Sequence, residues 1–258
     1  MSLAKDFQLL TNPPPPAIIP PNELWSDEPQ LETHLHMEQL IILLTCLQCW
    51  WWERDDFFAC GNISIYYEKG QINGQSDRAR GPDFFVVLNT DPRARYSWVV
   101  WQEDNRYPNL IVELLSEETA NTDRTTKKTL YQDKFTTPEY FWFHPETLEF
   151  EGFRLVEGKY QPIALNQRGW RWSEELGLYL GVYKRQLRYF TEQGEIVRTP
   201  IEQLTVESEQ RKLIQQRELA QQQAELERRE RESVQQQLAD VKALLARYRE
   251  QFGELSDE

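Results

Sequence analysis

Two acidic residues stand where a strand should be apolar. Asp83 follows Gly81-Pro82 and opens the run Phe84-Phe85-Val86-Val87-Leu88, and Glu113 lies inside Leu110-Ile111-Val112-Glu113-Leu114-Leu115. A carboxylate in such a strand carries a large desolvation penalty unless it is paired or bound to a metal. On neighbouring strands the two would repel each other, and a divalent cation is the simple remedy. Magnesium takes one or two carboxylates together with waters and phosphate oxygens, which suits an Asp and Glu pair. The ordinary alternative is that Asp83 ends a turn and Glu113 pairs with an arginine such as Arg80.

A third group follows. Asp123, Lys127 and Tyr131 are spaced i, i+4 and i+8, so they share one face of a helix. A helix that starts just beyond the strand of Glu113 can bring Lys127 to the same cleft. There an ammonium group would hold or polarise a water attacking a phosphodiester, or stabilise charge building on phosphorus. Lys128 points about 100° away, so Lys127 is the candidate. The competing view is an ordinary Asp-to-Lys surface pair worth a few tenths of a kcal/mol. Glycine-rich phosphate loops, H-E-x-x-H, a nucleophile elbow and kinase signatures are all missing.

The elements that must position these groups form a mixed α/β pattern. The spacing from Leu31 to Trp52 predicts a helix, apolar nearly all round towards its end and so buried against a sheet. Strands are predicted at 62–67, 83–88, 98–101, 110–115 and 139–143. The two continuous apolar runs at 83–88 and 110–115 read as central strands covered on both faces. A helix falls between 116 and 134. Hairpins are expected at 150–155 with 160–163, and at 187–190 with 196–197. Before all of this, residues 1–30 carry Pro13-Pro14-Pro15-Pro16 and Pro20-Pro21, a segment expected to be extended.

Composition changes after Pro200. Residues 201–258 contain no Pro or Trp, one Gly, eleven Gln, thirteen acidic and nine basic residues, the make-up of one long helix. Val234, Leu238, Val241, Leu245, Tyr248 and Phe252 step by four and three in turn, a heptad seam that weakens upstream. The tail is therefore expected to self-associate as a homo-oligomeric coiled coil or to dock on a partner. A solvated, partly helical tail is the plainer possibility. Three segments result: 1–30, 31–200 and 201–258.

A net charge of −13 excludes a general electrostatic coat for nucleic acid, so DNA contact needs a local basic patch or a bridging metal ion. Arg78, Arg80, Arg93, Arg95 and Arg106 are candidates for such a patch, with scattered loop charges as the alternative. Three cysteines exclude a disulfide framework and fit a reducing cytoplasm; Cys46 and Cys49 read as buried helix residues rather than a redox or zinc pair. The apolar run at 40–52 is too short for a membrane span, which needs about 20 residues.

Four strings carry a resemblance: G-P-D-F-F-V-V-L at Gly81 to Leu88, I-V-E-L-L-S at Ile111 to Ser116, D-x-x-x-K-x-x-x-Y at Asp123 to Tyr131, and P-E-Y-F-W at Pro138 to Trp142. In this order and spacing the chain resembles the bacterial Uma-type putative restriction endonuclease family, part of the PD-(D/E)XK nuclease superfamily, over roughly His36 to Phe190. The segment Gly169 to Gly181 is similar to that family's C-terminal portion. The resemblance implies a restriction-endonuclease-like mixed β-sheet flanked by helices, binding Mg²⁺ or Mn²⁺ and hydrolysing DNA. By position, Asp83 is the Asp of the P-D motif and Glu113 the acidic residue of (D/E)-x-K. The superfamily's lysine position is Leu115 here, and the resemblance makes Lys127, from the following helix, its counterpart. A glutamate near the first helix often completes such sites; Glu32 and Glu38 are both candidates. His144 stands where the family carries an Asp before Pro and reads as a surface substitution.

Three readings follow. The first is a metal-dependent DNA endonuclease with Asp83 and Glu113 as ligands and Lys127 beside them. The second is a nuclease-derived scaffold assembling through residues 201–258. The third, an RNA- or nucleotide-directed phosphodiesterase, shares the chemistry of the first.

Overall fold

The computed structural model describes residues 33–73 and 81–253. The proline-rich segment, Glu32, Arg78 and Arg80 lie outside the described residues. The chain divides into two compact units, Met1–Pro200 and Ile201–Glu258.

In the first unit, Thr33 caps helix α1 (His34–Trp50), its Oγ1 accepting the His36 N–H and satisfying one free amide of the first turn. His36, Gln39, Ile42, Leu43, Cys46 and Leu47 recur at three- and four-residue steps and are buried. Cys49, expected to be buried with Cys46, is exposed.

The strands are β1 (Phe57–Cys60), β2 (Ile65–Tyr66), β3 (Phe84–Leu88), β4 (Trp98–Val99), β5 (Leu110–Leu114), β6 (Glu139–Phe143), β7 (Phe150–Val156), β8 (Lys159–Pro162), β9 (Arg171–Ser173), β10 (Leu178–Tyr183) and β11 (Gln186–Phe190). Six of them form one mixed sheet in the order β1-β3-β5-β6-β7-β8. Within it β5 and β6 run parallel and the other neighbours antiparallel. Parallel neighbours need a crossover. It is α2, a continuous helical stretch through Ala120–Thr122, Asp123–Lys127, Lys128–Leu130 and Tyr131–Phe135, in which the second and fourth pieces are wide π turns. A smaller antiparallel sheet has the order β11-β10-β9, and β2 pairs with β4.

The sheet is covered on both faces, which is why its central strands read as unbroken apolar runs. Phe84, Val86, Leu110, Val112, Leu114, Phe141 and Phe143 pack with α1 and the small sheet. The alternate residues Phe85, Val87, Ile111, Leu115, Tyr140 and Trp142 pack with Tyr131 and Phe135 of α2. Gln39 docks α1 onto β11, donating to the Leu187 carbonyl and accepting its N–H, each at 2.9 Å.

Several elements differ from the sequence expectation. Strands β1, β9 and β10 were not foreseen: β1 and β9 are only four and three residues long, and β10 contains Gly181, where a Cβ would strike the Trp170 ring. In place of the 187–190 with 196–197 hairpin, β11 pairs with β10, leaving a single Phe190–Ile196 bridge. Two members of the arginine patch are also corrected. Arg95 is buried, paired with Glu103 at 2.7 Å and stacked over Phe58 and Trp98, and Arg93 lies against Asp91, so neither offers a free charge to phosphate.

The second unit is a single helix, α3 (Pro200–Phe252), of 53 residues, about 80 Å at 1.5 Å per residue. Intrahelical ion pairs such as Arg229–Glu225 and Arg211–Glu207 line it. Among the described residues no helix is long and apolar enough to cross a membrane.

Gly152 of β7 faces Phe141 of β6, and a Cβ there would run into the Phe141 ring and approach Arg171. Gly152→Ala is therefore expected to lower stability by about 1–3 kcal/mol, the usual cost of overpacking, as measured by urea denaturation.

Candidate active site

Strand register brings the two acids together. β3 and β5 pair Phe84 with Val112, and the same register continued by one residue sets Asp83 opposite Glu113. Directly opposed side chains share a face, here the face that α2 covers. Like charges in that position destabilise the pair, yet the contacts are close. The Asp83 N–H donates to Glu113 Oε2 at 3.2 Å, and Asp83 Oδ2 accepts the Leu114 N–H at 2.7 Å.

Helix α2 supplies the remaining groups. Lys127 Nζ lies 3.1 Å from Glu113 Oε2 and 2.9 Å from Asp123 Oδ1, and the Tyr131 hydroxyl donates to Glu113 Oε1 at 2.7 Å. Glu113 is 0% exposed and Asp123 1%, while Lys127 keeps 16% of its side chain open to solvent. The wide turn Asp123–Lys127 leaves its first carbonyl free for a second donor, and the Tyr140 hydroxyl takes that role at 2.9 Å. Lys128 turns away as expected and stacks over Phe153 at 3.2 Å from the ring centroid.

Three carboxyls thus face one ammonium. Burial pushes Glu113 up to about 7 despite the pull of Lys127, and the neighbouring Asp83 adds to the rise. Burial likewise raises Asp123 to about 6, with Glu113 adding to it, and raises Asp83. For Lys127 burial acts downward, but Glu113, Asp123 and Asp83 outweigh it and hold the ammonium above the ordinary lysine value. Tyr131 is raised well above its usual value by burial, so its phenol remains a donor.

The donor set fits a hard divalent ion. It is all oxygen, and burial raises both carboxyls that would hold the ion, so an added positive charge would favour their ionised forms. No cluster of three or more His, Cys, Asp and Glu side chains able to hold a metal occurs among the described residues. Asp83 and Glu113 would rely on water and phosphate oxygens for the rest of the shell, which is how magnesium is usually bound.

Other candidates fall elsewhere. Glu38 is exposed and bonds Gln186 Nε2 at 3.2 Å, away from Glu113. His144 is buried rather than superficial, its Nδ1 facing the Glu146 N–H at 3.3 Å. It lines, with His36, Leu115, Ser116, Glu117 and Glu146, a cleft of about 600 Å³ beyond the C-terminal ends of β5 and β6. His36 is the residue that sequence reasoning missed: its Nε2 lies 3.1 Å from the Leu114 carbonyl. A lone histidine at a helix start carried no signal beyond the Thr33 cap.

The raised Glu113 value has a consequence for stability. The folded chain holds this proton more tightly than the unfolded chain, so the contribution is full below about 4.5 and fades as pH climbs through about 7. In chelator, calorimetry is expected to show the melting temperature falling across that window, with Glu113→Gln flattening the slope.

The family model described as "Uma2: Putative restriction endonuclease" matches residues 4–188. Among solved structures, the chain is similar to "a putative nuclease belonging to DUF820 from Anabaena variabilis ATCC 29413", with 13% sequence identity and a TM-score of 0.41 over 58% of this chain and 76% of that one. No protein of curated function matches. The family match takes in Asp83, Glu113 and Lys127 and spans well over half of the 258 residues: the chain belongs to the Uma2 family.

Proposed function

We propose that the chain is a metal-dependent endonuclease, acting in the cytoplasm, that hydrolyses DNA phosphodiester bonds, with Asp83 and Glu113 as ligands for Mg²⁺ or Mn²⁺. One observation carries this reading: Asp83, Glu113 and Lys127, separated by up to 44 positions in the chain, converge in one buried cluster where three acids share a single ammonium.

The chain's own groups divide the work. The Leu114 N–H and the Tyr131 hydroxyl each take one carboxyl oxygen, fixing the planes of Asp83 and Glu113 before substrate arrives. Asp123 holds Lys127 from the same helix, so the ammonium stays charged and aimed. That charge is placed to meet the negative charge growing on the phosphoryl oxygens or to orient the attacking water. A bound divalent ion would act as a Lewis acid on the phosphate and relieve the repulsion between Asp83 and Glu113. Because binding would compete with the proton on Glu113, ion affinity is expected to rise with pH through about 7.

The test is calorimetry with Mn²⁺ together with plasmid nicking. Asp83→Ala with Glu113→Ala is expected to abolish both. Lys127→Met is expected to keep ion binding while slowing nicking by about 10²–10³-fold, the scale of losing one transition-state donor. Ordinary nicking by the double variant would refute the assignment.

A second reading, assembly as a homo-oligomer through residues 201–258, draws on the exposed seam of α3. Val234, Leu238, Val241, Leu245 and Tyr248 are each at least 52% exposed on the helix, a stripe that a second copy would cover by coiled-coil packing. Leu238→Glu with Leu245→Glu is expected to halve or further reduce the mass seen by light scattering. An unchanged mass would exclude this seam as the assembly element.

A further inference from the structure

The parting of β3 from β5 raises a question of hydrogen bonding at the last residue of β5. Continued past Phe84–Val112, the register sets Pro82 opposite Leu114. Proline has no N–H to give the ladder, and the Pro82 carbonyl accepts the Asn62 N–H at 3.3 Å. Backbone pairing therefore cannot serve Leu114, which is buried and must have both its N–H and its carbonyl satisfied. Side chains serve it instead. Asp83 Oδ2 accepts its N–H at 2.7 Å, and His36 Nε2 faces its carbonyl at 3.1 Å.

The geometry fixes which ring nitrogen serves Leu114. A carbonyl can only accept, so Nε2 carries the proton. Nδ1 bonds the Thr33 hydroxyl at 2.7 Å, and Thr33 Oγ1 also accepts the His36 N–H at 3.3 Å. The ring is buried, and its helix is clamped to β11 through Gln39.

We infer that His36 is a positioning residue for the Asp83–Glu113 site: it replaces the donor that Pro82 cannot supply, fixes the peptide after Leu114, and so holds the Leu114 N–H where it orients Asp83. Its action runs through Leu114. The role as an aid to ion binding rests on the hydrolytic reading, whereas the role in holding Leu114 does not.

The experiment compares full-length wild type, His36→Leu and His36→Gln, the last retaining an N–H donor of similar reach. Mn²⁺ affinity is read by calorimetry, and the Leu114 amide proton shift and exchange rate by NMR in ion-free buffer. His36→Leu is expected to weaken Mn²⁺ binding about tenfold, the lower end for losing a group that orients a ligand, and to shift and deprotect the Leu114 amide. His36→Gln is expected to restore both. Should His36→Leu fail to fold, Thr33→Val removes the partner that sets the ring plane and is expected to move the same amide. Wild-type affinity in His36→Leu, or an unmoved Leu114 amide in whichever variant folds, would overturn the inference. If the wild type takes up no Mn²⁺, the hydrolytic reading falls, while the amide comparison still decides whether His36 holds Leu114.

Discussion

Everything at the centre of this fold depends on one ammonium group. Lys127 stands among Glu113, Asp123 and Asp83 in a region that water barely enters. Removing one partner from a buried ionic group typically costs about 3–5 kcal/mol, because the charges left behind are uncompensated. Even with Lys127 in place the acids outnumber it, and burial raises all three carboxyls. A stable hydrophobic core would not tolerate such a cluster without return. The shortage of positive charge is what a divalent ion would supply.

The cluster is a product of backbone geometry more than of side-chain reach. Antiparallel register opposes Asp83 and Glu113, period-two alternation sends both to the α2 side, and the parallel β5–β6 pair obliges α2 to cross over that same face. Tyr131 belongs at once to the apolar core and to the site, so packing and polar geometry are fixed together. The same economy operates at the other end of the site, where the proline just ahead of β3 removes a ladder donor and a histidine from α1 takes its place.

Much of this was legible from residue order. The two acid-bearing runs, the helix after Glu113 and the common face of Asp123, Lys127 and Tyr131 follow from periodicity, because these segments are long and strongly patterned. The α/β class with a long terminal helix was likewise readable from the change of composition at Pro200. What was not legible depended on partners remote in sequence. Strand β10 is held by pairing with β11, and β9 by pairing with β10, rather than by their own pattern. Arg95 looked like a loop charge until Glu103 and two aromatic rings enclosed it. His36 gained a role only from Leu114, 78 positions away. The relation between the acids and the ion remains a matter of chemistry, since pattern gives proximity and not occupancy.

The π turns of α2 set the spacing of the site in a further way. Each wide turn holds one more residue than an ordinary α turn between bonded groups. Loss of a single residue from Asp123–Lys127 would let the helix tighten and rotate everything downstream by about 100°, carrying the Tyr131 phenol away from Glu113. The stretch from Glu113 to Tyr131 therefore behaves as a ruler of fixed count. A length change there would unmake the centre while leaving the sheet intact.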